Sequence, residues 1–254
     1  FPEIDQKQWK QLILQSPTTS FFQTPECYKF YASLSYLKPF IFGISENDRL
    51  VGVISGYITS NGNILKRFFS RRAIVCGGVL LDTNISERAL KLLLTTARNT
   101  LKRKSIYFEI RNYNNYSNYK ATFEAAGFSY IPHLNFQINT PDVETALKNL
   151  STTRRREIKL SVKSGATWHE TKNPDEIKTY YSILLDLYKT KVKTPLFPLD
   201  FFEKLVFENA GKLFVIKLED KIIGGSVCVT LPNKTVYECQ SQVSSSKFTM
   251  IEPS

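Results

Sequence analysis

The sequence predicts a mixed α/β protein made of two similar tandem domains, each with an α+β mixed sheet. One segment occurs twice, because residues 40–52 (FIFGISENDRLVG) align with residues 212–224 (KLFVIKLEDKIIG) without a gap. Both copies read as a strand, a polar turn and a second strand that reaches a glycine. Each copy also follows an aromatic segment that opens with proline, at residues 24–31 and 197–204. Helical and strand patterns alternate in both halves, which is typical of mixed α/β architectures.

In the first half, apolar residues spaced as on one helix face predict a helix over residues 4–14. Thr24 followed by Pro25 has the sequence of a helix start, so a second helix is expected up to Tyr36. The amphipathic pattern of residues 86–104 predicts a third helix, and Gly127 predicts the end of a fourth over residues 118–126. Strands are predicted over residues 40–45, 50–59, 64–69, 73–81, 105–111 and 128–138.

In the second half, helices are predicted over residues 142–150, 152–164, 173–191 and 199–208. Strands are predicted over residues 166–171, 212–218, 221–231 and 235–243. The repeat aligns Ser254 with Asp82, and the first copy continues beyond Asp82 with two helices and two strands. We therefore expect a first domain at residues 1–140 and a second at residues 141–254 that lacks its C-terminal portion.

Composition and motifs exclude several classes of protein. The 254 residues contain no apolar run near the ~20 residues that a transmembrane helix needs. The four cysteines lack disulfide or zinc-ligand spacing, which predicts reduced thiols, no metal and a cytoplasmic protein. Neither GxGxxG nor a P-loop occurs, and the pyrophosphate loop of ordinary CoA-dependent acetyltransferases is also absent, so no cofactor is predicted.

The net charge of +11 favours a polyanionic partner: RNA, DNA, a nucleotide pyrophosphate or an anionic membrane surface. The densest positive segment is the predicted helix at residues 152–164, where Arg155, Lys159 and Lys163 share one face. Ile158 and Val162 are expected to face the core. Free backbone N–H groups at a helix start favour an anion, and consecutive arginines suit bidentate phosphate binding. The predicted phosphate-binding residues of this helix are Arg154, Arg155, Arg156, Lys159 and Lys163.

Further candidate binding residues lie in the first half. Arg71 and Arg72 enter a predicted strand that contains Gly77 and Gly78. These glycines indicate a bulge, a close approach of a ligand to the backbone, or a packing accommodation. Arg111 ends a strand and begins a loop rich in tyrosine and asparagine (residues 111–119), which is either a ligand loop that stacks on bases or a polar surface loop. The two isolated histidines are interpreted as structural.

Taken together, ordered segments of the chain resemble the Fem-type aminoacyltransferases, which build interpeptide bridges in peptidoglycan. The segments are FFQTPE at 21–26, FSRR at 69–72 with GG at 77–78, IRN at 110–112, GFSY at 127–130, REIK at 156–159, DLY at 186–188, TPL at 194–196, IIGG at 222–225 and VY at 236–237. The resemblance implies two tandem domains of the GNAT (acyl-CoA N-acyltransferase) fold. It implies transfer of an aminoacyl group from aminoacyl-tRNA to an amine of a pyrophosphate-bearing peptidoglycan precursor, and it adds Tyr237 to the candidate binding residues.

The resemblance implies a cytoplasmic enzyme of cell-wall synthesis, with peripheral contact to the inner face of an anionic membrane as a further expectation. The family continues beyond a segment like residues 252–254, so part of the acceptor site is expected outside this sequence. No catalytic residue or general base is assigned. Two alternatives remain open: an N-acyltransferase that uses another acyl donor on a polysaccharide or small amine, and a non-catalytic module that binds RNA or an anionic surface.

Overall fold

The computed structural model describes residues 4–60 and 69–243, with side chains up to residue 239. The predicted strand over residues 64–69 lies outside these residues apart from Phe69. The chain divides into two compact units, Phe1–Asn135 with Thr230–Val236 and Phe136–Val229 with Tyr237–Ser254. A domain boundary at residue 140 remains a prediction.

The first unit is a five-stranded sheet with helices on both faces. The helices are α1 (Gln6–Gln15), α2 (Pro25–Ser33), α3 (Glu87–Leu101) and α4 (Lys120–Ala125), and the strands are β1 (Lys38–Glu46), β2 (Arg49–Thr59), β3 (Arg72–Cys76), β4 (Leu80–Leu81) and β5 (Tyr107–Arg111). The strand order is β1-β2-β3-β5, β4 pairs with β2, and β3 and β5 are parallel.

Alternation along β1 and β2 divides the core of this unit into two layers. On one face, Trp9 and Leu12 of α1 pack with Ile41 and Val53. On the other, the leucine stripe of α3 packs with Ile54, and the even-numbered apolar residues of β1 pack against the same cluster. The caps that the sequence indicates are present, since Thr24 Oγ1 accepts a hydrogen bond from Cys27 N, 3.1 Å away. The helix starts at Pro25 as predicted but ends at Ser33, earlier than Tyr36.

Two glycines divide the strand predicted over residues 73–81 into β3 and β4. Gly77 and Gly78 have φ values of +79° and +86°, in a region that residues other than glycine rarely adopt. Gln23 Nε2 donates to both glycine carbonyl oxygens, at 3.1 and 3.2 Å. A Cβ atom at Gly78 would lie 2.6 Å from Asn112 Oδ1. The two glycines therefore allow the backbone to pack closely against polar side chains of the same unit.

The second sheet has four strands and is accompanied by four helices. The elements are α5 (Val143–Asn149), α6 (Thr152–Lys163), β6 (Thr167–Thr171), α7 (Pro174–Leu187), α8 (Leu199–Phe207), β7 (Lys212–Leu218), β8 (Lys221–Leu231) and β9 (Thr235–Val243). The strand order is β6-β7-β8-β9. Apolar residues of α7 and α8, including Tyr180 and Phe202, are buried together with Leu213 and Val215 of the sheet.

The repeat found in the sequence is also present in the backbone. In the first hairpin Phe42 pairs with Ile54, and the register shifts between Ile44 and Ser45. In the second, Phe214 pairs with Ser226, and the shift falls at the aligned position, between residues 216 and 217. Both turns consist of two residues with positive φ, at positions 47–48 and 219–220, the backbone that a tight hairpin requires. The two hairpins therefore share register, bulge and turn.

Two predicted elements differ in the structure. Residues 128–138 do not form a strand, and Leu134 and Phe136 are 92% and 87% exposed. The alternating pattern is present, but no described strand pairs with this segment, so its backbone lacks the inter-strand hydrogen bonds of a sheet. The helix predicted over residues 173–191 changes to a π-helical turn at Tyr188–Val192, and Lys193, with φ of +57°, ends it.

Candidate anion-binding site

Capping hydrogen bonds define both ends of helix α6. Ser151 Oγ accepts a hydrogen bond from Arg154 N, 3.2 Å away, which caps the start of the helix. At the other end, Gly165 has a φ of +87° and donates from its N–H to Val162 O, while Ala166 N donates to Ser161 O. This pair of bonds is the Schellman motif. Both ends of the helix are therefore fixed by local hydrogen bonds, although few described residues pack against it.

Every residue of α6 is exposed. The prediction that Ile158 and Val162 face the core is wrong, since they are 47% and 62% exposed. The reason is that no described element covers the side of the helix on which they lie. A helix without a buried face gains little stability from tertiary packing.

Four cations of α6 lie along one exposed face of the helix and border a shallow space between their side chains, which we call the groove of α6. The groove has a volume of about 460 Å³, and Thr152 and Leu160 complete its lining. Arg154 lies outside it and forms an ion pair with Glu157, with 2.7 Å between Nη1 and Oε2. Within the described part of the chain, the four cations of the groove form no ion pair. They are Arg155, Arg156, Lys159 and Lys163.

The electrostatics of α6 are unfavourable without a partner. Like charges four positions apart each cost an isolated helix about 0.2–0.5 kcal/mol, and both Arg155–Lys159 and Lys159–Lys163 have this spacing. The first turn contains no acidic residue, although the positive end of a helix favours one. An anion seated in the groove would relieve both effects.

The candidates of the first unit do not form one cluster. Arg72 begins β3, whereas Arg111 ends β5, and Arg111 pairs with Cys76 at the far end of β3. Because the strands are parallel, four residues of strand separate the two side chains, or roughly 13 Å. Arg71 lies just before β3, and its carbonyl accepts a hydrogen bond from Ile106 N. Arg111 Nε donates to Glu109 Oε1, 2.7 Å away, and this bond raises the pKa of the guanidinium.

The tyrosines of residues 111–119 pack inward. Tyr116 is buried and donates from its hydroxyl to Val79 O, 2.7 Å away, and burial raises its pKa to about 12. The ring of Tyr113 makes an edge contact with Phe22 at 5.7 Å. A role in stacking on bases is therefore not supported for these two rings. Tyr237 is half-buried on β9, the strand at the opposite edge of the second sheet from β6.

The sequence did not reveal an ionisable cluster on the second sheet. His169 of β6 and Lys217 of β7 both contact Glu176, which lies in the first turn of α7. Glu176 Oε1 is 2.6 Å from Lys217 Nζ, and Glu176 Oε2 is 3.0 Å from His169 Nε2. The hydrogen bond from Lys217, followed by those from Thr171 and His169, lowers the pKa of Glu176 to about 2. No motif indicated this cluster because strand pairing, and not sequence spacing, brings its members together.

The described residues contain neither a metal-ligand cluster nor a membrane-spanning helix. Over residues 4–60 and 69–243, no group of three His, Cys, Asp or Glu side chains is arranged to hold a metal ion. None of the described helices has both the length and the apolarity to cross a bilayer. Among the described residues no cysteine forms a disulfide, and Cys27 and Cys76 are buried.

Comparison with known proteins gives a likeness of structure only. No protein-family model matches the chain, and no curated protein matches its sequence. The crystal structure of FemX is similar, with a TM-score of 0.56 and 14% identity, over 85% of this chain. A conserved protein of unknown function from Bacteroides thetaiotaomicron VPI-5482 matches with a TM-score of 0.48 and 10% identity, over 97% of this chain and 80% of that protein.

The chain spans 57% of the length of the FemX chain. The likeness shows a Fem-like fold, consistent with a mixed α/β structure that contains two sheets.

Proposed function

We propose that this chain is a Fem-like transferase that moves an aminoacyl group from aminoacyl-tRNA to an amine of a pyrophosphate-bearing peptidoglycan precursor. The observation that carries the proposal is the Fem-like fold together with the four exposed cations of the groove of α6. The repeated hairpin supports a tandem arrangement of two GNAT-like domains. With these substrates the protein would act in the cytoplasm, at the inner face of the membrane.

The groove of α6 suits a phosphate ligand in charge and geometry. Arg155 and Arg156 provide planar guanidinium groups, which bind phosphate oxygens in pairs. Lys159 and Lys163 extend the same face by one and two helical turns. A pyrophosphate carries two adjacent anionic groups, and a tRNA backbone carries a row of them, so both substrates match a linear set of cations.

The reaction needs no covalent nucleophile on the protein. The free amine of the precursor attacks the carbonyl carbon of the aminoacyl ester, a new C–N bond forms, and the C–O bond to the ribose of the tRNA breaks. The amine loses a proton, and the ribose oxygen leaves as a hydroxyl. Such a step depends on holding the two substrates together and on stabilising the developing oxyanion. The cations of α6 would serve the first requirement by binding phosphates away from the reacting atoms.

A transfer assay tests the proposal. Protein is incubated with tRNA that carries a radiolabelled amino acid and with a nucleotide-linked muramyl pentapeptide, and the muramyl product is isolated by chromatography. We expect label in that product, with a mass larger by one aminoacyl residue. The double variant Arg155→Ala/Lys159→Ala should lose the product.

Lys178→Ala provides the matched control, because Lys178 is an exposed cation on α7 that pairs with Asp175. This variant should keep the product. Transfer from an acyl-CoA but not from aminoacyl-tRNA would contradict the proposal and favour an ordinary N-acyltransferase. Binding of tRNA without transfer to any amine would instead favour a non-catalytic RNA-binding module.

A further inference from the structure

Positive charge is concentrated at one end of the first sheet. Lys38 begins β1 and pairs with Ile58, near the end of β2, which pairs in turn with Ala73 of β3. Arg72 begins β3 and pairs with Tyr107, the first residue of β5. The starts of β1, β3 and β5 therefore lie side by side. We call the cations at this end of the sheet the basic end, and they are Lys38, Arg71, Arg72, Lys102, Arg103 and Lys104.

The segment between α3 and β5 brings three of these cations to the basic end. Lys102, Arg103 and Lys104 directly follow the last residue of α3 and are exposed. Ile106 N donates a hydrogen bond to Arg71 O, 3.0 Å away, so this segment lies against the residue that precedes β3. The pairing of β3 with β5 thus joins cations from distant parts of the sequence.

The described residues of the basic end include no acidic side chain. Aspartate and glutamate are absent from the segments that form it, which are residues 36–40, 57–60, 69–73 and 102–108. In the described part of the chain, Lys38, Arg72 and the three cations before β5 form no ion pair. The opposite end of the sheet differs, because Glu46 closes β1 there and Asp82 pairs with Arg49.

The dipole of α3 accounts for only part of this charge. Cations close to the C-terminus of a helix are stabilised by its partial negative charge, an effect that falls off within the last turn. Lys102 is the C-cap residue of α3 and fits this explanation. Lys38 and Arg72 begin other elements of the unit, so the dipole does not explain them. Because like charges repel, a bound anion would stabilise the basic end.

The layout of the cations suits a chain of phosphates. The first residues of β1, β3 and β5 lie in a row across four strands, about 14 Å long at a strand spacing of about 4.8 Å, which exceeds the size of one phosphate. Arg71 and Arg72 are half-buried, whereas Lys102, Arg103 and Lys104 are exposed. A flat bilayer would reach the exposed cations first. The backbone of a nucleic acid is narrower and would contact cations at both depths.

We propose that the basic end binds the phosphate backbone of the tRNA. The choice of tRNA rests on the proposed function, in which aminoacyl-tRNA is the donor. Arg71 and Arg72 would bind phosphate oxygens through their guanidinium groups, and the three cations before β5 would continue the contact along the backbone. Tyr107, which is 48% exposed and pairs with Arg72, offers a ring to an unpaired base. These contacts would add to those of the groove of α6, which belongs to the other compact unit.

Fluorescence anisotropy of end-labelled tRNA at several salt concentrations tests this surface. The variant Lys102→Ala/Arg103→Ala/Lys104→Ala removes three cations of the basic end and leaves α6 unchanged. Since each lost phosphate contact reduces the slope of log affinity against log salt by about 0.7–0.9, the slope should become less steep by about 2–3. The matched control Lys7→Ala/Arg88→Ala/Lys91→Ala removes the same charge from exposed positions near the starts of α1 and α3. It should change the slope by less than half as much.

The outcomes separate this surface from the proposed function. Circular dichroism first confirms that each variant is folded. If only Arg155→Ala/Lys159→Ala weakens tRNA binding, or if the control triple variant loses as much as the basic-end variant, the basic end is not the contact, although the proposed function stands. If the unchanged protein does not bind tRNA, both are overturned. Sedimentation with phosphatidylglycerol vesicles provides a second arm. Loss of vesicle binding in the basic-end variant, with tRNA binding unchanged, would overturn the proposal and assign the basic end to an anionic membrane.

Discussion

Replacing Lys159 with alanine should reduce both the affinity of the protein for tRNA and the dependence of that affinity on salt. Four cations line the groove of α6, and each phosphate contact contributes about 0.7–0.9 to the slope of log affinity against log salt concentration. Four contacts give a slope of about −3, which corresponds to a roughly 60-fold loss of affinity between 50 and 200 mM salt. With three contacts the slope is about −2.2, and the loss over the same range is roughly 20-fold.

Fluorescence anisotropy of end-labelled tRNA, measured at several salt concentrations, provides both slopes. Arg154→Ala is an informative comparison, because Arg154 pairs with Glu157 and lies outside the groove. It should change the slope less than Lys159→Ala, and Lys178→Ala on α7 should not change it. A slope of the Lys159 variant equal to that of the unchanged protein, or an equal reduction in the Lys178 variant, would exclude tRNA binding by the groove of α6.

Three further predictions concern stability. Glu176→Gln should reduce the free energy of unfolding by about 1–2 kcal/mol at pH 7. Because the hydrogen bond from Lys217 lowers the pKa of Glu176 from 4.5 to about 2, this stabilisation is present above pH 4.5 and is lost as the pH falls through 2. Urea unfolding at a series of pH values would detect the loss. Gly78→Ala should cost about 1–3 kcal/mol, because φ is +86° and the new Cβ atom would meet Asn112; an unchanged free energy of unfolding in chemical denaturation would argue against this cause. Leu90→Ala in the core should cost about 2–5 kcal/mol, and chemical denaturation showing under 1 kcal/mol would contradict the packing described for α3.

Local signals predicted much of the fold. The spacing of leucines in α3, the Thr24–Pro25 start of α2 and the Gly165 end of α6 act within a few residues, so the sequence alone reveals them. The repeated hairpin was also predictable, because its pattern of apolar residues, turn and glycine recurs at aligned positions. The shared register shift shows that this similarity extends to the backbone.

Features that depend on distant partners were not predictable. Residues 128–138 alternate like a strand, but a strand forms only where another strand offers its hydrogen bonds. The apolar residues of α6 suggested a buried face, yet burial requires a neighbouring element that helix periodicity does not reveal. The contacts of Glu176 with His169 and Lys217 join two strands and a helix. Tyr116, which looked like part of a polar loop, is buried because its ring packs in the core cluster of α3, and its hydroxyl donates to Val79 O.

Thermal unfolding of the protein with increasing nucleotide-linked muramyl pentapeptide tests whether α6 binds this precursor. If the groove of α6 binds the pyrophosphate, the midpoint should rise with ligand, by about 2.7 kcal/mol of added stability at one hundred times Kd. The rise should vanish in Arg155→Ala/Lys159→Ala and persist in Lys178→Ala. An unchanged midpoint, or an equal rise with a muramyl peptide that lacks the nucleotide and its pyrophosphate, would exclude pyrophosphate binding by α6.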